Sequence, residues 1–239
     1  MSTIRFAALL LGLGAVAYSA WVIEGVVDTG LDPLRTYVSE LAAQSQPLGD
    51  LFRAADLTAG LLVLAGALSA HRADRRADRR SGHWTTVGWA GLALFGAATA
   101  LDSQLPLSCT PTADPACATR EAAGLVPATH TAHAVSSALA VTGALIGMVA
   151  LTTAARRYGR WAPLARTGPW LTALELAATA WTLASVAAFT AGRGTWLLGL
   201  GQRLQVLTIA LWLAMLALAL ARSRSGTTAA TEATEATAR

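Results

Sequence analysis

The chain has 239 residues, of which 54% are hydrophobic and only 13% charged, about half the charged share of an average soluble domain. That balance excludes an ordinary water-soluble globule and asks for lipid as the surrounding solvent. The formal net charge is +4 and every one of the 18 basic residues is Arg; no stretch interleaves them with aromatics as a stacking platform for nucleic acid would, so nucleic acid is excluded as a partner.

Six apolar runs in chain order read as membrane-spanning helices: Ile4 to Val27, Ala54 to Ala70, Trp84 to Leu101, Thr129 to Thr153, Trp170 to Ala191 and Leu204 to Ala221. Each is about the 20 residues that a hydrocarbon core requires, the second being the shortest. The predicted fold is an all-α integral membrane bundle of six transmembrane helices spanning residues 1–225. A tail at 226–239, rich in Ala, Thr and Glu, has no apolar face to bury and reads as disordered.

Arginines cluster at the N-terminus, between the second and third runs, between the fourth and fifth, and after the sixth. The positive-inside bias puts both termini in the cytoplasm and predicts a multi-pass protein of the plasma membrane. A cleaved signal peptide at the start is the weaker alternative, because the apolar run continues to Val27, past the length of a signal core. The only two cysteines, Cys109 and Cys117, fall in the third connection, on the predicted outer face. An oxidising compartment would join them as a disulfide.

Polar residues sort with this topology. In the first run Tyr18, Trp21, Glu24 and Asp28 follow helical spacing and place aromatics and carboxylates on one face. In the first outer loop, Asp32-Pro33 has the form of an N-cap followed by proline at the first helical position. Leu34, Tyr37, Val38 and Leu41 then predict a short amphipathic helix that carries Ser39 and Glu40, either as a lid over the bundle or as an interfacial helix.

Asp102 closes the third run, and His130 and His133 open the fourth, one turn apart. An imidazole beside a carboxylate suits proton transfer near neutral pH, and Asp102, His130 and His133 would be the ligands if zinc bound. No His-Glu-x-x-His accompanies them, so zinc is one option beside acid/base work or a structural hydrogen-bonded cluster, and no other cofactor is implied. Glu175 lies in the fifth run, on the cytoplasmic half by the predicted boundaries. An acid within a span is a functional candidate by default. Gly143 and Gly147 form Gly-x-x-x-Gly, the spacing that lets helices approach closely.

Tyr37-Val38-Ser39-Glu40-Leu41, Pro47, Asp102 and the histidines at 130 and 133 together resemble an uncharacterised bacterial membrane family, domain of unknown function 998. The resemblance covers nearly all of the chain before the tail. It implies six spans and no established activity, and marks Ser39, Asp102, His130 and His133 as positions to inspect. A looser likeness to membrane hydrolases of the alkaline ceramidase group rests on Ser, Asp and His at helix ends; that group implies seven spans and a late His-x-x-x-His, whereas here His-x-x-His opens the fourth span.

Three function classes follow from these residues. The first is a membrane-embedded enzyme acting on a hydrophobic small molecule, a lipid or isoprenoid, either as a hydrolase or as a proton-initiated terpene cyclase, with Glu24, Asp28, Ser39, Glu40, Asp102, His130, His133 and Glu175 as candidate catalytic groups. The second is a small transporter or ligand sensor with an acidic outer mouth. The third is a non-catalytic partner subunit in contact with membrane lipids, in a homo- or hetero-oligomer.

Overall fold

A computed structural model describes residues 2–76 and 82–223. The predicted tail at 226–239, and part of the arginine cluster that follows the second span, lie outside the described residues. Helices α1 (Thr3–Tyr18), α2 (Gly49–Arg76), α3 (His83–Asp102), α5 (Ala128–Arg157), α6 (Ala162–Thr190) and α7 (Leu198–Arg222) form the bundle, and a short α4 (Pro115–Ala122) lies in the third connection. Six helices, the first continued by a 3-10 segment, are long and apolar enough to cross a membrane. The protein is therefore an all-α, multi-pass membrane protein, with no strand among the described residues.

The helices form a closed ring in chain order, and α1 packs back on α7. Neighbours run antiparallel. A Cβ on Gly60 would stand 2.5 Å from Ala100 N, and one on Gly96 would stand 2.5 Å from Leu64 N, so later residues of α2 meet earlier residues of α3. The α3/α5 seam repeats the device: a Cβ on Gly143 would lie 2.5 Å from Phe95 N and one on Gly91 2.6 Å from Gly147 N. Lipid offers apolar side chains no hydrophobic gain for pairing, so close backbone contact across small residues supplies the packing instead. Gly143 and Gly147 thus do what their spacing predicts. Trp89, Trp212, Phe95, Leu11 and Met148 fill the interior. Alternation brings the start of α1 and the end of α7 to one end of the bundle and the disulfide to the other, called here the mouth.

Three local departures from the predicted elements matter for the mouth. The first span changes at Ser19, whose hydroxyl donates to Ala15 O, from α-helix to a 3-10 segment at Ala20–Gly25. The predicted amphipathic helix is divided. Asp32 does cap one turn, accepting Leu34 N–H at 2.9 Å, but Tyr37 is extended (φ −57°, ψ 144°) and a 3-10 turn follows at Val38–Ala42. The segment presses Glu40, Leu41 and Ala42 inward, and side-chain contacts at both ends decide that path over helical continuity. Finally, α6 begins eight residues before the predicted boundary and runs through Pro169. Glu175 therefore sits near the middle of its helix and not in one half.

Candidate functional site

The cavity at the mouth is built by the chain reversals just described. Its volume is about 130 Å³ and it is partly open, enough for a group the size of a benzene ring. Tyr18, Trp21 and Phe52 give it aromatic walls, and Val38, Ser39, Leu41 and Ala42 roof it. Polar groups enter from four helices: Asp56 from α2, Thr99 and Asp102 from α3, Ser137 from α5, and Gln202 and Gln205 from α7.

Two lining residues, Asp102 and Ser137, join His133 behind them in one polar group. His133 Nδ1 lies 3.0 Å from Leu105 O and 3.1 Å from Asp102 Oδ1. A backbone carbonyl only accepts, so Nδ1 carries a proton and donates to Leu105 O with Asp102 Oδ1 beside it, and in the neutral tautomer this leaves the lone pair on Nε2. That Nε2 stands 3.4 Å from Ser137 Oγ, one turn further along α5. In this resting arrangement Ser137 Oγ–H is directed at the Asp102 carboxylate, 3.1 Å from each oxygen. Ser136 also donates to Asp102. Ser137 and Ser136 were not singled out in the sequence, although His133 and Ser137 at i, i+4 on a helix are the available signal.

His130 belongs to another network. Its Nδ1 accepts Ser108 N–H at 3.1 Å, which places its proton on Nε2, 3.5 Å from Glu121 Oε1. The two imidazoles therefore engage different partners and do not converge. Among the described residues no group of three His, Cys, Asp or Glu is placed to hold a metal ion, so the zinc option at Asp102, His130 and His133 has no geometric support.

The remaining candidates separate. Glu24 forms a bidentate ion pair with Arg203, Nε to Oε1 at 2.5 Å and Nη2 to Oε2 at 2.6 Å. Arg203 also donates to Thr36 O and Gly199 O. Glu24 is thus fully engaged as a carboxylate. Asp28 is exposed and accepts Gly30 N–H, which puts it outside the cavity. Glu40 is 0% exposed and turned away from the cavity, accepting N–H (2.7 Å) and Oγ1–H (2.5 Å) from Thr112. Burial pushes its carboxyl above the ordinary value, and the two Thr112 bonds hold part of that rise back. Ser39 lines the cavity. Glu175, also 0% exposed, accepts from Thr179, which in turn accepts from Gln205, so it reaches the cavity through two side chains.

Asp56 is the residue that sequence reasoning passed over as a site candidate. It faces the cavity and accepts no hydrogen bond from the described residues. It lies inside the second predicted span, and an acid at membrane depth is itself the signal. Thr99 Oγ1 and Trp21 Nε1, on the same wall, are buried without a partner among the described residues.

The expected disulfide is present: Cys109 and Cys117 are bonded, with Cα atoms 6.0 Å apart. Their loop latches the roof. Gln44 N–H donates to Leu107 O at 2.8 Å and Glu40 accepts from Thr112, while Ser108 ties the same segment to His130. Asp114 caps α4 by accepting Ala116 N–H, an element whose Asp-Pro signature lay unread in the sequence.

A family model described as protein of unknown function (DUF998) matches residues 11–219. The chain belongs to that family, and the match runs from within α1 to within α7, taking in the four membrane helices between them. No curated protein and no solved structure matches it.

Proposed function

We propose that this member of the DUF998 family is a membrane-embedded enzyme that acts on a lipid or isoprenoid amphiphile by acid/base chemistry, and that its reaction is hydrolysis of an acyl bond. The observation that carries this reading is the hydrogen-bonded group of Asp102, His133 and Ser137, two of whose members, Asp102 and Ser137, line the cavity at the mouth while His133 stands behind them. Roles follow from the hydrogen bonds. Leu105 O accepts from His133 Nδ1–H, so in the neutral ring Nε2 is the free base; rotation of the Ser137 hydroxyl from Asp102 to Nε2 then lets the imidazole take its proton as Oγ attacks the acyl carbon. The carbon–leaving-group bond breaks as His133 returns that proton to the departing oxygen. Water, deprotonated by the same imidazole, releases the acyl group and restores Ser137. A separation of 3.4 Å is longer than a working hydrogen bond, as is common where no substrate compresses the site.

Donors for an oxyanion are present in the same cavity. Gln202 Oε1 accepts Val38 N–H at 2.8 Å, which turns its amide NH₂ into an unspent donor among the described residues, and Thr99 supplies a hydroxyl. A fluorophosphonate probe should label Ser137 of the protein in nanodiscs, and Ser137→Ala or His133→Ala should lower ester turnover by about 10²- to 10⁴-fold. No labelling, with turnover unchanged in Ser137→Ala, would overturn the hydrolase.

A second reading, proton-initiated cyclisation of an isoprenoid, has its own support in Asp56, whose carboxyl faces the aromatic-walled cavity and accepts no hydrogen bond from the described residues. Turnover lost in Asp56→Asn but kept in Ser137→Ala would select it. Solute flux through liposomes that depends on Asp56 and Asp102, with no turnover of ester or isoprenoid, would select the transporter class instead.

A further inference from the structure

The charges around the cavity are one-sided. Two carboxyl groups, Asp56 and Asp102, line it, and no arginine or histidine does. The arginines nearest in sequence to its walls are committed elsewhere: Arg53 to Asp50 and to Ala42 O, and Arg203 to Glu24, Thr36 O and Gly199 O. An anionic head, whether carboxylate, phosphate or diphosphate, would enter this space against two acids with no counter-charge. A carboxylate half-buried among aromatic rings is favoured in its charged form by a partner. Asp102 receives His133, Ser136 and Ser137, whereas Asp56 receives nothing from the described residues.

Thr99 makes an independent case for an absent hydrogen-bonding group. It is only 5% exposed, its Oγ1 has no partner, and it lines the cavity one turn before Asp102 on α3. Gln205 adds an acceptor: its Nε2 donates to Thr179 at 2.8 Å, so its Oε1 remains for the cavity. Asp56 and Gln205 thus present acceptors to the cavity, the Thr99 hydroxyl can accept or donate, and Tyr18, Trp21 and Phe52 supply ring faces that attract cations.

We propose that the cavity binds the ammonium head of an amine-bearing amphiphile, with Asp56 as its counter-ion, Thr99 and Gln205 as acceptors for its N–H groups, and the aromatic walls around it. This rests on the cavity being the substrate site, and it narrows the substrate to a cationic amphiphile. The volume of about 130 Å³ accommodates a head and the first carbons of a chain, so the remainder of the ligand leaves through the open side.

Isothermal titration of the purified full chain in detergent at pH 7 with hexylamine, hexan-1-ol and hexanoate tests it without any need for turnover. Hexylamine is expected to bind saturably, with hexan-1-ol at least about tenfold weaker and hexanoate unbound. Asp56→Asn should weaken hexylamine by about 10- to 100-fold, the value of a charge-assisted hydrogen bond, and leave hexan-1-ol unchanged. Should Asp56→Asn fail to fold, Thr99→Val should show a smaller loss for the amine alone. Saturable hexylamine binding by a chain that the fluorophosphonate fails to label at Ser137 would keep this proposal and remove the hydrolytic one. Equal affinity for amine and alcohol, preference for hexanoate, or an Asp56→Asn or Thr99→Val variant that folds and binds hexylamine normally would each overturn it.

Discussion

Arg203 and Glu24 meet in a buried, two-bonded ion pair at 2.5 and 2.6 Å, joining the last helix to the 3-10 extension of the first. With Arg203 Nη1 also on Thr36 O, this pair closes the ring of helices at the mouth and fixes where the roof begins. Removing one partner leaves the other charged, buried and alone. Arg203→Met or Glu24→Leu should each lose about 3 to 5 kcal/mol, and the double variant should recover much of that loss. Thermal unfolding in detergent reads it; single and double variants of equal stability would contradict the pairing.

Glu40 makes the roof pH-sensitive. Its carboxyl is held above the ordinary 4.5 in the folded chain, burial outweighing the Thr112 bonds. The folded state therefore keeps its proton to a higher pH than the unfolded state does. That contribution is fully present below the unfolded value and is lost as pH rises through the folded one. Hydrogen exchange at residues 107–113 should accelerate with pH beyond the intrinsic rate, and Glu40→Gln should flatten that excess.

The disulfide between Cys109 and Cys117 closes a short loop that carries Thr112. Replacing both cysteines by alanine should cost about 2 to 3 kcal/mol by chain-entropy arithmetic. The roof should loosen with it, seen as faster exchange at residues 38–42. Unaltered exchange there would separate the disulfide from the roof.

Gly60 and Gly96 place α2 and α3 backbone to backbone, and Asp56 and Asp102 lie on those two helices just beyond the contact. Gly96→Ala would put a methyl 2.5 Å from Leu64 N and should cost about 1 to 3 kcal/mol as an overpacked seam. Hexylamine affinity should fall with it, because the two carboxyls move apart.

Arginine placement predicts which way the bundle faces. Leu125, 73% exposed beside the disulfide loop, and Arg157, at the opposite end of α5, report on the two sides. A membrane-impermeant maleimide should label Leu125→Cys on intact cells and Arg157→Cys only after permeabilisation. The reverse pattern would invert the topology.

The six spans were legible in the residues because lipid imposes one rule on all of them: an apolar run of bilayer length whose backbone bonds are satisfied internally. The cysteine pair was legible for a comparable reason, since two cysteines in one loop have only each other. Helix ends were less so. Pro169 reads as a boundary locally, yet α6 runs through it.

What the sequence determined by itself is the class of the protein, its helix count and the chemical types gathered near one end. Which acids share a cavity was decided by tertiary structure alone. Glu24 and Asp56 look alike as carboxyls in apolar runs, and only the approach of α7 gives Arg203 to one and leaves the other open to the cavity. His130 and His133, one turn apart, likewise part company because Ser108 reaches the first, while Leu105 and Asp102 hold the second. A residue's chemistry depends on partners tens to hundreds of positions away, and those distances are set by how the helices close the ring.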